Sequence, residues 1–179
     1  METFIPQKEL VDNPHFQAQR QEVLDNLSDE MIDAPIVEIV KDLNLLPYCF
    51  TLQSCYGHFV YDRKDDPHNL ELLPMGSTIT TVEYRIAYLA LCIENNSSGK
   101  ELLKSLKRIA SFDPQYVQFC CAEWFWGTQV NSYVLQVEPE RFKNLDTAII
   151  DYGEALHVER TRNEFFLRLK RLLTHYKNR

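Results

Sequence analysis

The chain lacks the motifs that mark the common nucleotide and hydrolase sites. It has no G-x-G-x-x-G, no G-x-x-x-x-G-K-[ST], no H-E-x-x-H and no G-x-S-x-G, so dinucleotide, P-loop, zincin and α/β-hydrolase readings have no footing. Glycine is scarce, five in 179 residues, and no tract is compositionally biased. With no flexible linker in view, residues 1–179 read as one domain. No apolar run reaches ~18 residues without a charge, which argues against a membrane-spanning helix. The opening Met1-Glu2-Thr3-Phe4-Ile5-Pro6-Gln7-Lys8-Glu9 has no basic-then-apolar layout, so the expected location is the cytoplasm. There the five cysteines (49, 55, 92, 120 and 121) are expected as thiols. Cys92, Cys120 and Cys121 lie in apolar segments and read as small core residues.

What is present is a sizeable core: 45% of residues are hydrophobic and 12% aromatic. The net charge of −7 is unevenly spread. From Arg160 to Arg179 seven Lys/Arg face a single acid, Glu164, giving +6. That leaves −13 for residues 1–159, with 12 basic and 25 acidic side chains. An acidic body is a poor general partner for phosphates. A basic closing helix can contact RNA locally or simply present a solvated face, and both readings stand.

The pattern predicts a helical pair over 12–46. Asp12-Asn13-Pro14 and Asp33-Ala34-Pro35 are start signals. Phe16, Val23, Leu24, Leu27 and Met31, then Ile36, Ile39, Val40 and Leu43, form the apolar stripes. Sheet with one intervening helix is expected over 48–137. Tyr48 to Ser54 alternates as a strand, and His58 to Tyr61 reads as its hairpin partner or the next strand. Residues 62–80 form a long loop. Tyr84 to Ile93 also fits a helix through Val82, Ile86, Leu89 and Ile93. It reads better as a strand, because a clear helix follows from Gly99. Tyr116–Trp126 and Ser132–Val137 read as strands joined by a hairpin, and 139–177 as closing helices. The class is α+β, a mixed or antiparallel sheet packed on helices.

Two clusters can carry chemistry. Ser54-Cys55-Tyr56-Gly57-His58 places a hydroxyl, a thiol, a glycine and an imidazole where a strand ends. Backbone N–H groups of such a turn make an anion-holding nest, and His58 adds a proton carrier. The same five residues also suit a core turn. A metal reading would pair Cys55 with His58, with His68 as a further candidate, but no second C-x-x-C or H-x-x-x-H pair accompanies them, so no metal is expected. A nucleophile reading lacks a third, orienting group. The second cluster is Glu123-Trp124-Phe125-Trp126. On a strand, Trp124 and Trp126 share a face that either stacks on a planar ring or lies in the core, while Glu123 suits a ribose hydroxyl or an amine. Arg85, inside an apolar run, faces an anionic ligand or pairs with Glu83 or Glu123.

Asp33, Ile36, Ile39, Val40, Asn44 and Pro47, followed by Phe50-Thr51-Leu52-Gln53-Ser54-Cys55-Tyr56-Gly57-His58, resemble the wybutosine-synthesising (Taw3-like) tRNA methyltransferases. In that family a helix ending in Asn leads to a strand ending Thr-x-Ser-Ser-Cys-Ser-Gly-Arg. Arg162-Asn163 and Arg168-Leu169-x-Arg171-Leu172 resemble its closing helix. Here His58 replaces the family's arginine, and Tyr56 the serine before the glycine. The Thr-x-x-Ser-Cys-x-Gly-His motif also resembles one in uncharacterised bacterial and phage proteins. The first resemblance implies an α+β fold, S-adenosylmethionine as methyl donor and a guanosine-derived tRNA base as acceptor. Residue by residue it implies Thr51, Ser54 and Gly57 on the cofactor side and Cys55 and His58 at the chemistry, to which the residues' own pattern adds Trp124 and Trp126 toward the cofactor and Arg85 and Glu123 toward the substrate. A non-catalytic ligand-binding protein of the same fold and a Cys/His-dependent hydrolase are the alternatives.

Overall fold

The structure is a computed structural model that describes residues 4–61, 66–75 and 78–177. Helix α1 (Phe16–Asp25) follows the first start signal. A 3-10 turn, Ala34–Ile36, leads from the second signal into α2 (Val37–Leu45). The first stripe extends further in the sequence than in the fold, for α1 stops at Asp25 and Met31 is 85% exposed. The second stripe is the core face, with Ile36, Ile39, Val40 and Leu43 all buried.

Among the described residues eight strands follow chain order: β1 (Phe4–Ile5), β2 (Cys49–Cys55), β3 (His58–Val60), β4 (Thr81–Arg85), β5 (Ala87–Ile93), β6 (Val117–Ala122), β7 (Ser132–Val137) and β8 (Thr147–Asp151). They form a five-stranded sheet, β1-β6-β7-β5-β2, and a three-stranded sheet, β3-β4-β8. Every pairing is antiparallel. Helices α3 (Ser97–Ala110) and α5 (Tyr152–Lys177) pack together, and α5 also lies on β4, β7 and β8. The fold is α+β, as expected. Among the described residues no helix is long and apolar enough to cross a membrane.

The two sheets meet at one corner. Cys55 faces Tyr88 across β2 and β5, and three residues later His58 faces Arg85 across β3 and β4. The register is therefore unbroken, and the two sheets share a single bent strand pair, interrupted only at Tyr56-Gly57 and Ile86. Gly57 makes the bend possible. Its φ is +88°, and a Cβ there would lie 2.8 Å from the Ala87 Cβ, so any side chain meets strain and a clash. The bend breaks ladder hydrogen bonds, and side chains replace them. The Tyr84 hydroxyl accepts from the Ala87 N–H (2.9 Å) and donates to the Val137 carbonyl (2.8 Å). Arg162 of α5 donates to the Gly57 carbonyl at 2.8 Å.

Two expected elements are corrected. Tyr116–Trp126 is not one strand: β6 ends at Ala122, and Glu123–Thr128 forms a short helix, α4. Its Thr128 hydroxyl bonds back to the Trp124 and Phe125 carbonyls. Trp124 and Trp126 therefore do not share a strand face. The 139–177 span is not wholly helical either. A 3-10 turn, Glu140–Phe142, precedes β8, which completes the small sheet against β4. The expected 62–80 loop lies partly outside the described residues. Within it, the buried Glu159 carboxylate accepts the Leu73 N–H at 2.8 Å and ties the 66–75 segment to α5.

Candidate functional site

The site grows from the second half of β2. Between Thr51 and Gln53 the pairing with β5 shifts by one residue, leaving Leu52 as a bulge. Such a bulge re-aims the residues beyond it. From there Gln53, Ser54 and Cys55 run along the sheet's outer edge to the corner. Three adjoining hollows meet around Gln53, Ser54 and Tyr88. The largest, about 490 Å³, lies between β2 and the end of α1 and includes Met31 and Ile32. Another, about 300 Å³, is walled by Asp33, Ser54, Cys55, His58, His68 and Arg85. A third, about 230 Å³, runs toward Asn144 and Asp146.

At the floor of the middle hollow a nitrogen of His58, the Cys55 sulfur and a carboxylate oxygen of Asp33 lie within 4.8 Å of one another. The ring of His58 is held from behind, its Nδ1 3.2 Å from the Asn69 carbonyl, so Nδ1 carries the proton. Nε2 then faces forward, 3.3 Å from the Asp33 Oδ2. The orienting partner that the sequence did not reveal thus comes from two places, Asn69 behind the ring and Asp33 in front. The Asp33 carboxylate, helped by Cys55, outweighs burial and raises the imidazole to about 10. Burial pushes the Asp33 carboxyl upward, but the His58 contact and the Tyr56 N–H (2.7 Å) together hold it below the ordinary range. The Cys55 sulfur accepts the Gly57 N–H at 3.4 Å. A carboxylate and a thiol competing for one imidazole nitrogen make a poor proton relay, because the base that should activate the thiol is already engaged.

The remaining predicted residues divide. Ser54 and Arg85 line the middle hollow. Arg85 reaches Glu83 only at 3.8 Å, and its Nε has no hydrogen-bond partner. Gly57 shapes the turn from within. Thr51 is buried, and its N–H and hydroxyl both bond Asn44, closing the end of α2 onto β2. Trp124, Trp126 and Glu123 line none of the three hollows. Trp124 is 59% exposed, Trp126 packs on Tyr133 beneath Lys8, and Glu123 is exposed at the start of α4.

Residues the sequence reading did not assign to the site brace it. Arg162 is only 1% exposed, although it counts toward the basic charge of the closing segment. Its guanidinium stacks on Tyr56 (4.1 Å) and Phe59 (5.1 Å) and donates to Asn163, which also accepts the Tyr56 hydroxyl. Asp33 carried a visible signal, a capping residue before Ala-Pro. Its side chain makes no cap bond and turns to Tyr56 and His58 instead.

No protein-family model and no curated protein matches the chain. Among solved structures it is similar to the PH1069 protein from Pyrococcus horikoshii, with a TM-score of 0.51 and 13% identity over 92% of this chain and 95% of that one. At that identity the likeness is one of fold, and it places the chain with an α+β architecture of the same extent.

Proposed function

We propose that this chain is a cytoplasmic enzyme that binds a nucleotide-sized small molecule along the outer edge of β2. The ligand's anionic end lies beside Ser54 and Arg85, and its reacting end beside Cys55 and His58. The observation that carries this reading is the meeting of three hollows at Tyr88, two of them also lined by Ser54, next to the cluster of Asp33, Cys55 and His58. An elongated molecule with a ring at one end and a charged group at the other fits such a groove. The resemblance of the Thr51–His58 motif makes S-adenosylmethionine the ligand to test first, with methyl transfer to a nucleotide-like acceptor as the reaction. The protein's contribution to that chemistry is orientation and exclusion of water. An RNA acceptor would meet the exposed Arg160, Lys170 and Arg171 of α5.

Calorimetric titration with S-adenosylmethionine tests the reading. Saturable binding is expected, and Ser54→Trp, which fills the groove, abolishes it. Absence of heat at millimolar ligand overturns the assignment of S-adenosylmethionine. Binding untouched by Ser54→Trp overturns the groove.

A further inference from the structure

The three side chains at the corner bring their donor atoms together, all within 4.8 Å of one another. In a nucleophile–base–acid relay the thiol and the carboxylate occupy opposite ring nitrogens. Here Nδ1 of His58 belongs to the Asn69 carbonyl, and Nε2 is left for the Asp33 side of the ring. Convergence of a sulfur, an imidazole nitrogen and a carboxylate oxygen is the arrangement of ligands around a cation. We propose that Asp33, Cys55 and His58 bind one zinc ion whose fourth position opens into the 300 Å³ hollow.

The donor set selects the metal. A thiolate and an imidazole favour zinc over magnesium or calcium, which take oxygen donors. A thiolate and a carboxylate also neutralise the dication. The spacing agrees: Nε2 and Oδ2 are 3.3 Å apart, longer than the ~2.7–2.9 Å of a charge-assisted hydrogen bond. Two ligands at ~2.0 Å across a tetrahedral angle lie about 3.3 Å apart. Each donor also has the outer partner that metal ligands require. Asn69 fixes the imidazole, the Tyr56 N–H holds the Asp33 oxygen, and the Gly57 N–H meets the sulfur. Such outer contacts set ring orientation and ligand basicity. The open side matters as well. His58 is 3% exposed, yet the hollow reaches the cluster, with His68 edge-on to His58 at its wall. Three protein ligands with a vacant fourth place form the pattern in which zinc acts on a bound molecule.

This inference does not depend on S-adenosylmethionine: zinc binding and cofactor binding can each fail alone. The full-length protein is stripped with chelator, reloaded with Zn²⁺ or Co²⁺, desalted and analysed for metal. About one equivalent per chain is expected to be retained. The cobalt form should show tetrahedral d–d absorption and a thiolate-to-cobalt charge-transfer band. Cys55→Ser should remove that band and weaken zinc binding by at least about 10–100-fold. Cys120→Ser, outside the cluster, should keep both. Little or no metal retained by the unmodified chain overturns the site, as does a cobalt spectrum without a thiolate band. Zinc binding unchanged in Cys55→Ser overturns it too. If that variant fails to fold, the unmodified chain's stoichiometry and spectrum decide.

Discussion

The corner at Gly57 and Ile86 has a closed face and an open one, and the two are built from neighbouring residues of the same strands. Phe59 and Tyr84 pair across β3 and β4, as do His58 and Arg85 one step away. Strand alternation sends each pair to the opposite side. On the closed side Phe59 stacks on Tyr84, and Arg162 covers both Phe59 and the turn. On the open side Asp33, Cys55, His58 and Arg85 border a hollow, and the Arg85 Nε is left without an acceptor. One face stitches the bend and the other uses it to gather polar atoms. The rigidity of the open face is therefore supplied from behind.

Breaking the bend should damage both faces together. Gly57→Val puts a branched side chain at φ +88° against Ala87 and should cost about 4 kcal/mol in urea unfolding. The closed side can also be strengthened. Glu138 is fully buried with neither carboxylate oxygen bonded, and burial raises it from the ordinary 4.5 to about 8. In the unfolded chain it ionises near its ordinary value. Stability is therefore full below that pH, falls as pH rises toward 8, and carries the whole cost beyond. Each unit is worth about 1.4 kcal/mol, so Glu138→Gln should gain up to about 5 kcal/mol at about pH 9 and almost nothing at about pH 4. Denaturant curves at the two pH values check the sign.

Smaller effects separate the faces. Arg162→Met leaves the Gly57 carbonyl unpaired and loses two ring contacts, a cost of about 2–3 kcal/mol. Arg162→Lys should not restore it, because an ammonium lacks the planar fork. On the open face, Asp33→Asn keeps an acceptor for the Tyr56 N–H but takes the anionic partner from buried His58, and should cost about 2–3 kcal/mol in chelator-treated protein. The same change should abolish zinc retention. Trp124→Ala, far from the hollows, should shift stability within about 0.5 kcal/mol and leave ligand binding as it was.

Much of the frame was legible because its signals are local. Asp-Asn-Pro and Asp-Ala-Pro mark where the first helices begin, and Tyr84–Ile93, whose apolar run fits either element, reads as strand because a clear helix follows from Gly99. The break at Ile86 was not legible, since the corner that causes it depends on Gly57 and Ala87 meeting across the sheets. Strand β8 hid because Ile149 is 64% exposed, so Thr147–Asp151 lacks a clear apolar alternation. Helix α4 was misread because Trp and Phe favour strands, and tertiary context overrode that preference. At the site, Ser54, Cys55, Gly57 and His58 were visible as one compressed motif. Asp33 and Arg162 were not, because each reaches the turn from a distant element and each had an ordinary local explanation, a helix cap and a surface charge.

The bond between Arg162 and Gly57 spans 105 positions of the chain. When the turn leaves the ribosome, the group that will close it has not yet been made. The finished corner is thus a late product of folding, and long-range closure of this kind slows the search for the native state. Until α5 docks, the corner between the two sheets lacks the guanidinium that closes its Gly57 turn. Helix α5 therefore acts as a molecular clasp on a turn that is made well before it.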